Sequence, residues 1–331
     1  MEILFVGANG KMEMEKIPEA GYSIKGIDMA GYNRSSLIKN IALPYKLIKS
    51  FMQVKNIFKS FKPQAAIGVG GYSTFPVLRY AQAKGIPTFI HESNSFPGKA
   101  NRMLGGKATR IFTASDGMEK FFPNGQVLHT GNPVRKSIVN DQITREEGLA
   151  FFNLDPKYTT VLITGGSLGA RSINEAIDAS ISQLIKNKIQ LIWQTGKSFT
   201  VQASASAVSS GLIWTGEFIS KMEYAYAAAD IVVSRSGSVL YELCVVKKPV
   251  IFVPYPYAAD DHQTVNAENL VRKKAALIVP DKDAHNNLVM EILKLARNQQ
   301  EQEILKENIG KLAITDADVK IADEILKSLN G

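Results

Sequence analysis

A strand, a glycine turn and a helix start follow one another directly between Thr160 and Ala176, and this order constrains the fold of the whole chain. The apolar run Val161–Ile163 is typical of a buried parallel strand. The glycines of GGSLGA interrupt that strand, and a helix is predicted from Ser172 onward. Such a turn brings backbone N–H groups and the positive end of a helix dipole together, which favours an anion. The sequence therefore predicts either an anion site or a glycine turn that binds no ligand.

The class of anion is narrowed by what the turn lacks. Its pattern is GGSxGA, which differs from the G-x-G-x-x-G of dinucleotide sites. No acidic residue ends a strand about 20 residues further on, where such a site would hold its ribose. Ser167 adds a hydroxyl donor at the turn. A phosphate-bearing ligand other than NAD is the prediction.

Composition excludes several classes of protein. With 331 residues and 45% hydrophobic content, the chain is expected to be an ordinary soluble protein of two domains. We expect no signal peptide, and no apolar run approaches the roughly 20 residues of a membrane span. A single cysteine, Cys244, excludes a disulfide framework and is predicted to be a buried thiol. The four histidines lack metal-ligand spacing, so we predict neither a metal nor a cofactor, in a cytoplasmic protein.

Strands alternate with helical stretches along the whole chain, which is typical of parallel α/β sheets. In the first part the predicted strands are Ile3–Gly7, Tyr22–Ile27, Ala65–Val69, Pro87–His91, Arg110–Thr113 and Gln126–His129. In the second part they are Thr159–Ile163, Gln190–Gln194, Leu212–Thr215, Ile231–Ser234, Val250–Val253 and Ala276–Val279. We predict an α/β fold of two Rossmann-like domains facing a cleft, where ligands of such folds bind.

The domain boundary is predicted from the polar segment Asn140–Asn153, which reads as a linker. Residues 1–139 are assigned to the first domain and residues 140–315 to the second. The last helix, within residues 316–331, is predicted to pack back on the first domain.

The net charge of +8 belongs to the first half, because residues 1–140 hold 19 basic and 8 acidic side chains. Within it, the stretch Leu37–Lys62 is basic and apolar, and four apolar residues fall at helical spacing: Leu47, Phe51, Val54 and Phe58. One interpretation is a helix that packs its apolar side in the core and solvates its lysines. The other is a surface that rests on anionic lipid. Nucleic acid is not predicted, because the stretch offers no aromatic stacking platform.

Polar and glycine-rich groups follow several predicted strands. Gly68–Ser73 is a second glycine turn, and His91–Asn94 ends the next strand. Ser234–Ser238 leads into a helix that carries Glu242, whose carboxylate could accept two hydrogen bonds from a ribose diol or merely favour the helix start. Gln263 could offer its amide to sugar hydroxyls. Since the carboxyl ends of parallel strands face the ligand in this architecture, these groups are candidate contacts.

Six motifs carry a family resemblance. In chain order they are GVGGYST, HESN, GNPVR, GGSLGA, SRSGS followed by Tyr241-Glu242, and DHQTVNA. Their order and spacing resemble the MurG family of peptidoglycan glycosyltransferases, glycosyltransferase family 28, over essentially the whole chain. The resemblance implies a GT-B fold and an inverting transfer of N-acetylglucosamine from UDP-N-acetylglucosamine to lipid I, which forms lipid II without an obligatory metal. It also implies a peripheral enzyme on the cytoplasmic face of the membrane, held on anionic lipid by Leu37–Lys62.

The same resemblance implies roles for single residues. Glu242 would hold the ribose, and the backbone of Ile219 would meet uracil. Ser167 and Arg135 would lie near the diphosphate, and Gln263 and Asn94 near the sugar. The remaining donor contacts would come from the start of the helix after SRSGS, at Ser238, Val239, Leu240 and Tyr241. Tyr72 and Glu92 would lie on the acceptor side, so residues 1–139 are the predicted acceptor and membrane domain, and residues 140–315 bind the UDP-sugar.

The front of the sequence departs from the family pattern. The family opens with a strand and a GGTGGH loop whose histidine is a candidate catalytic base, whereas Met1–Ala8 aligns with the family's second strand. A β–α unit of roughly 30 residues is therefore expected to be missing, and the catalytic residue is unknown from the residues present.

Two alternatives stay open. A GT-B epimerase would share the UDP-sugar site without needing a lipid-facing surface. A non-catalytic protein that binds the UDP-sugar or the membrane is the other alternative, because the catalytic loop is expected to be absent.

Overall fold

The structure is a computed structural model that describes residues 1–29, 43–140, 142–199 and 210–330. It consists of two compact units. One comprises Met1–Gly131 together with Val319–Gly331, and the other comprises Asn132–Asp318. The boundary places Arg135 in the second unit.

The strands of the first unit are parallel and form two sheets. They are β1 (Leu4–Ala8), β2 (Ser23–Ile27), β3 (Ala66–Gly68), β4 (Thr88–Glu92), β5 (Arg110–Thr113) and β6 (Val127–His129). One sheet pairs β1 with β2, and the other has the order β3-β4-β5-β6. A single doubly wound sheet would need a strand between β1 and β3, and the described residues contain none there.

The second unit has one sheet of six parallel strands. They are β7 (Thr159–Thr164), β8 (Ile189–Gln194), β9 (Ile213–Gly216), β10 (Ile231–Ser234), β11 (Val250–Phe252) and β12 (Leu277–Ile278). Their order is β12-β11-β10-β7-β8-β9, which is the Rossmann order with its switch point between β7 and β10. All twelve strands predicted from the alternation are present, and the predicted α/β class with parallel sheets is confirmed.

Helices lie between the strands along the described residues, and three more follow the last strand. In the first unit they begin with α1 (Glu13–Glu19), α2 (Leu43–Phe61), α3 (Thr74–Ala83) and α4 (Lys99–Gly105). The second unit contains α5 (Lys136–Val139), α6 (Arg145–Phe151), α7 (Arg171–Ala179), α8 (Ile181–Lys186), α9 (Met222–Ala228), α10 (Val239–Val246), α11 (His262–Arg272), α12 (Ala284–Ala296) and α13 (Gln299–Gly310). The last helix is α14 (Ala317–Asn330). None of these helices is both long and apolar enough to cross a membrane, within the residues described.

The core of the second unit lies between its sheet and its helices. Trp193 at the end of β8 is fully buried, and its indole Nε1 donates to Asn174 Oδ1 at 3.0 Å. Asn174 in turn donates from Nδ2 to the carbonyl of Thr195 at 2.7 Å. Buried indole and amide groups need such partners, so this pair ties α7 to the loop after β8.

The C-terminal helix α14 packs on the sheet of the first unit. Ile321 and Ile325 contact the stacked rings of Phe89 and Phe112 on β4 and β5. Apolar burial on two neighbouring strands is what holds a terminal helix in place.

Helix α2 has one face in the core and another in solvent. Val54 is fully buried, whereas Tyr45, Ile48 and Met52 are 68%, 62% and 55% exposed. These three residues fall three and four positions apart, so they form one stripe on the helix surface. The lysine side chains at 46, 55 and 59 are exposed too. Residues 37–42 of the predicted basic stretch lie outside the described residues.

The start of α2 is tied to the end of β2 through Asp28. Its carboxylate lies 2.7 Å from Lys49 Nζ and accepts a hydrogen bond from Gln53 Nε2 at 3.1 Å. Hydrogen bonds from Lys49 and Asn9 lower the pKa of Asp28 to about 2. Lys49 is therefore paired within the protein.

Candidate functional site

The second unit gathers its polar groups at the carboxyl ends of β7, β8, β10 and β11. In a doubly wound sheet this edge, at the switch point, is where ligands bind. The glycine turn leaves β7 there, and the Ser234–Ser238 turn leaves β10 beside it.

The glycine turn is shaped by close backbone packing. Gly166 and Gly169 have φ of 85° and 78°, which only glycine adopts without strain. A Cβ on Gly169 would lie 2.1 Å from the carbonyl oxygen of Thr195, so the turn and the loop after β8 touch at this point. Ser167 is exposed between the glycines, and α7 begins at Arg171 with no side-chain cap. Its first N–H groups are therefore suited to an anion.

Gln194, which the sequence analysis missed, organises the neighbouring loops. Its side chain is 2% exposed at the end of β8. Its Nε2 donates to the carbonyl of Gly166 at 2.9 Å, and its Oε1 accepts from the backbone N–H of Ile219 at 2.8 Å. The backbone N–H of Ile219 is therefore already engaged within the second unit. A buried polar residue at the carboxyl end of a strand was the signal that could have found Gln194.

A second buried network fixes the Ser234–Ser238 turn. Arg235 Nη1 donates to the carbonyl of Val253 at 2.8 Å and lies 2.5 Å from Asp281 Oδ1, and Nη2 donates to Ser172 Oγ at 3.2 Å. Only 12% of the Arg235 side chain is exposed. One guanidinium thus joins the loops after β10, β11 and β12 to the first turn of α7. The sequence analysis gave no role to Arg235 or Asp281.

Helix α10 begins at Val239, so Glu242 lies in its first turns. Ser238 is exposed, whereas Leu240 and Tyr241 are 3% and 9% exposed, and their side chains face the core. The backbone N–H groups of Leu240 and Tyr241 donate to the carbonyls of Gly237 and Ser238, each at 3.2 Å. Cys244, further along, is buried as predicted, and burial raises the pKa of its thiol to about 12.

The carboxylate of Glu242 has two partners. Arg135 donates from Nε to Oε1 and from Nη2 to Oε2, each at 3.0 Å. Tyr226 donates its hydroxyl to Oε2 at 2.9 Å. Burial, together with the Glu242 carboxylate, raises the pKa of Tyr226 well above 10, so the hydroxyl keeps its proton. The pairing of Arg135 with Glu242 and the presence of Tyr226 were not predicted.

Gln263 lies on the other side of this edge, in the first turn of α11. Its Oε1 accepts from the backbone N–H of Tyr255 at 3.0 Å, and its carbonyl accepts from Ser236 Oγ at 2.7 Å. The loop after β11 therefore already orients the side-chain amide of Gln263. The described residues hold no group of three histidine, cysteine, aspartate or glutamate side chains that could bind a metal ion.

Three predicted site residues lie in the first unit. Glu92, at the end of β4, is 3% exposed and accepts from the side chains of Asn94 at 3.1 Å and Asn101 at 2.8 Å. It also accepts from the backbone N–H groups of Asn94 and Gly98. These contacts make Glu92 the anchor of the loop that carries Asn94. Tyr72 is half-buried after the second glycine turn, and the acceptor-side role of both residues stays a prediction.

The buried ring of His91, next to Glu92 on β4, should make the stability of the protein depend on pH. Its Nε2 lies 3.2 Å from the carbonyl of Gly131, and burial lowers the pKa of the ring below 6.5. Between pH 6.5 and the lower pKa of the folded state, the ring is protonated in the unfolded chain and neutral in the folded one. The folded state therefore loses stability as the pH falls over this range. We expect the free energy of unfolding to fall over this range in denaturant titrations, and His91→Gln to remove most of the slope. The matched change at exposed His285 should leave the slope in place; equal slopes for the wild type and His91→Gln would contradict the argument.

Comparison with known proteins decides the family. The glycosyltransferase family 28 N-terminal domain matches residues 1–113, and the glycosyltransferase family 28 C-terminal domain matches residues 160–323. A UDP-N-acetylglucosamine–N-acetylmuramyl-(pentapeptide) pyrophosphoryl-undecaprenol N-acetylglucosamine transferase of Phocaeicola vulgatus is 46% identical over 98% of this chain and 88% of its own length. This chain belongs to glycosyltransferase family 28.

Solved structures agree with a family 28 fold. The crystal structure of Acinetobacter baumannii MurG superimposes with a TM-score of 0.77 at 26% identity, covering 98% of this chain and 91% of that one. A UDP-GlcNAc 2-epimerase from Neisseria meningitidis bound to UDP-GlcNAc has a TM-score of 0.65 at 15% identity, over 99% of this chain and 100% of that one. The second likeness shows that the fold is shared, and the GT-B architecture predicted from the motifs is confirmed.

Proposed function

We propose that this family 28 chain transfers N-acetylglucosamine from UDP-N-acetylglucosamine to lipid I, forming lipid II in peptidoglycan synthesis. The observation that carries the proposal is the match at 46% identity, over 98% of the chain, to a transferase named for that reaction. The epimerase alternative rests on a likeness of fold at 15% identity, which is weaker support.

In the proposed reaction the C4 hydroxyl of the N-acetylmuramyl sugar attacks the anomeric carbon of the donor. The bond from that carbon to UDP breaks, the hydroxyl proton passes to a general base, and UDP leaves as the diphosphate. Inversion follows because the nucleophile enters opposite the leaving group. We assign no residue of this sequence as the base.

The donor is assigned to the polar edge of the second unit. Glu242 would accept from the ribose hydroxyls, and the backbone of Ile219 would meet uracil. Ser167 and the uncapped start of α7 are suited to the diphosphate, because exposed N–H groups at a helix start stabilise a leaving anion. Arg135 would add a charge to that diphosphate. Gln263, with Asn94 from the first unit, is assigned to the sugar, and the segment Ser238–Tyr241 completes the contacts.

The transfer is tested by incubating the protein with UDP-N-acetylglucosamine and a lipid I analogue, and following UDP release and product mass. Acceptor-dependent UDP release with a gain of one N-acetylhexosamine on the analogue is the expected result. Acceptor-independent epimerisation of the donor would replace the proposal with the epimerase alternative. UDP binding without turnover in either assay would favour the non-catalytic binding protein.

We also propose that α2 holds the enzyme on the cytoplasmic face of the membrane through anionic lipid. The exposed stripe of Tyr45, Ile48 and Met52 provides apolar area, and the exposed lysines beside it provide charge. Apolar side chains at the acyl boundary with lysines at the headgroups are the arrangement of interfacial helices.

Charge reversal on α2 is expected to weaken binding to phosphatidylglycerol vesicles. A lysine near an anionic surface contributes about 1 kcal/mol, so reversing Lys55 and Lys59 should cost at least about 2 kcal/mol, or about 30-fold in affinity. The matched reversal of exposed Lys186 and Lys306 in the second unit should change little. Sedimentation with vesicles measures the affinity of each double variant and of the wild type. Equal losses for the two pairs would mean that binding follows net charge alone, and the assignment to α2 would be wrong.

A further inference from the structure

The carboxylate of Glu242 is held by two residues that differ sharply in exposure. Tyr226 is 1% exposed, Glu242 has 17% of its side chain exposed, and Arg135 has 52% exposed. Arg135 takes both carboxylate oxygens at 3.0 Å, while Tyr226 takes only Oε2 at 2.9 Å. Three donors therefore already reach the group that the proposed function assigns to the ribose.

A ribose diol needs two of the acceptor positions on this carboxylate. A carboxylate offers about four lone-pair sites, of which the Arg135 fork takes one on each oxygen and Tyr226 takes another on Oε2, so about one remains. One partner must therefore yield when the diol binds. Tyr226 is the costly one to move, because its buried hydroxyl would be left without a partner. Arg135 is the easier one, because an ion pair with a half-exposed side chain contributes little.

We propose that Glu242 exchanges partners on ligand binding, and that Arg135 thereby selects a nucleoside diphosphate over a nucleoside. Without ligand, the guanidinium covers the ribose-binding carboxylate. The ribose displaces it, and the diphosphate of the same ligand receives it. A nucleoside that lacks the diphosphate must displace the same ion pair and receives nothing in return. Tyr226 stays on Oε2 throughout and is a positioning residue for Glu242. The inference rests on the proposed function, in which Glu242 binds ribose and Arg135 contacts the diphosphate.

The proposal predicts opposite effects of one substitution on two ligands. Arg135→Met keeps side-chain length but removes the competing fork, so uridine should bind about two- to fivefold more tightly. UDP loses a charged hydrogen-bond donor and should bind about tenfold more weakly or worse. Titration calorimetry with uridine and with UDP on the full chain measures both affinities. Arg135→Lys keeps the charge but cannot bind bidentately. It should therefore tighten uridine binding and weaken UDP binding, each by less than Arg135→Met does.

Two further variants make the test specific. Tyr226→Phe should weaken the binding of uridine and of UDP by the same factor, about fivefold. The change removes the hydrogen bond that positions the Glu242 carboxylate, which both ligands use. Arg272→Met removes another arginine from an exposed pair, with Glu268 at 3.9 Å at the C-terminal end of α11, and should change neither affinity.

The outcomes separate the inference from the proposed function. If wild-type protein binds UDP and turns over the donor, but Arg135→Met weakens uridine as much as UDP, the exchange is wrong while the function stands. Unchanged binding in Tyr226→Phe would remove the positioning role. If wild-type protein does not bind UDP at all, the proposed function fails before the variants are compared.

Discussion

Replacing Gly169 by alanine is expected to lower the free energy of unfolding of the second unit by about 3 kcal/mol or more and to abolish UDP binding. The residue has φ of 78°, and an added Cβ would lie 2.1 Å from the carbonyl oxygen of Thr195. Relief requires the glycine turn to move away from the loop after β8. That movement would also break the alignment of the turn with the first N–H groups of α7, which the proposed diphosphate site uses.

Gly166→Ala is the matched control. Gly166 has φ of 85°, but an added Cβ would have no atom within 4 Å. Only backbone strain remains, so we expect a loss of about 1 kcal/mol. Urea titrations followed by circular dichroism compare the two variants. A Gly169→Ala protein as stable as Gly166→Ala would show that the contact with Thr195 does not constrain the turn.

The second large effect is expected from Arg235→Met. This change leaves the Asp281 carboxylate with the Ser172 hydroxyl but without a positively charged partner, and it removes donors from the carbonyl of Val253 and from Ser172. Breaking one side of a largely buried ion pair costs about 3 kcal/mol or more, because the remaining charge stays desolvated. The free energy of unfolding from urea titration should fall by that amount. Donor affinity should fall too, since the same guanidinium holds the turn after β10 to α7.

A pair in solvent provides the control for Arg235. Lys157 lies 2.8 Å from Asp155 with 63% of its side chain exposed, so Lys157→Met should cost less than about 1 kcal/mol. Asp281→Asn in the Arg235→Met background should recover part of the stability by removing the unpaired charge. A loss for Arg235→Met no larger than that for Lys157→Met would mean that the network is dispensable.

Local patterns were sufficient for the strands and for the glycine turn. Short apolar runs ended by glycine or polar residues located all twelve strands, of which β4, β8, β10 and β11 are buried along their whole length. The sequence predicts an anion site at the glycine turn after β7 and candidate contacts in the turn after β10. Both leave neighbouring strands at the switch point of the sheet. Glu242, a turn inside a helix that follows such a strand end, was recognised in the same way.

Pairings between residues far apart in the chain were not predictable from the sequence. Gln194 and Ile219 are 25 residues apart, and Arg135 and Glu242 are 107 apart. Tyr226 resembles any core aromatic until its hydroxyl is seen on the Glu242 carboxylate. The sequence also left open whether the apolar side of α2 packs in the core or faces lipid. In the structure Val54 is buried, whereas Ile48 and Met52 are exposed to solvent.

By itself the sequence determined the order of strands and helices, the α/β class, the glycine turn and the family. These follow from local periodicity, from glycine's access to positive φ, and from motifs read in order. Only the tertiary structure decided which side chains hold the candidate site together: Gln194 under the glycine turn, Arg235 between three loops, and Glu242 between Tyr226 and Arg135. Hydrogen bonds and ion pairs depend on distances of about 3 Å between atoms, and the fold alone sets those distances for residues far apart in the chain.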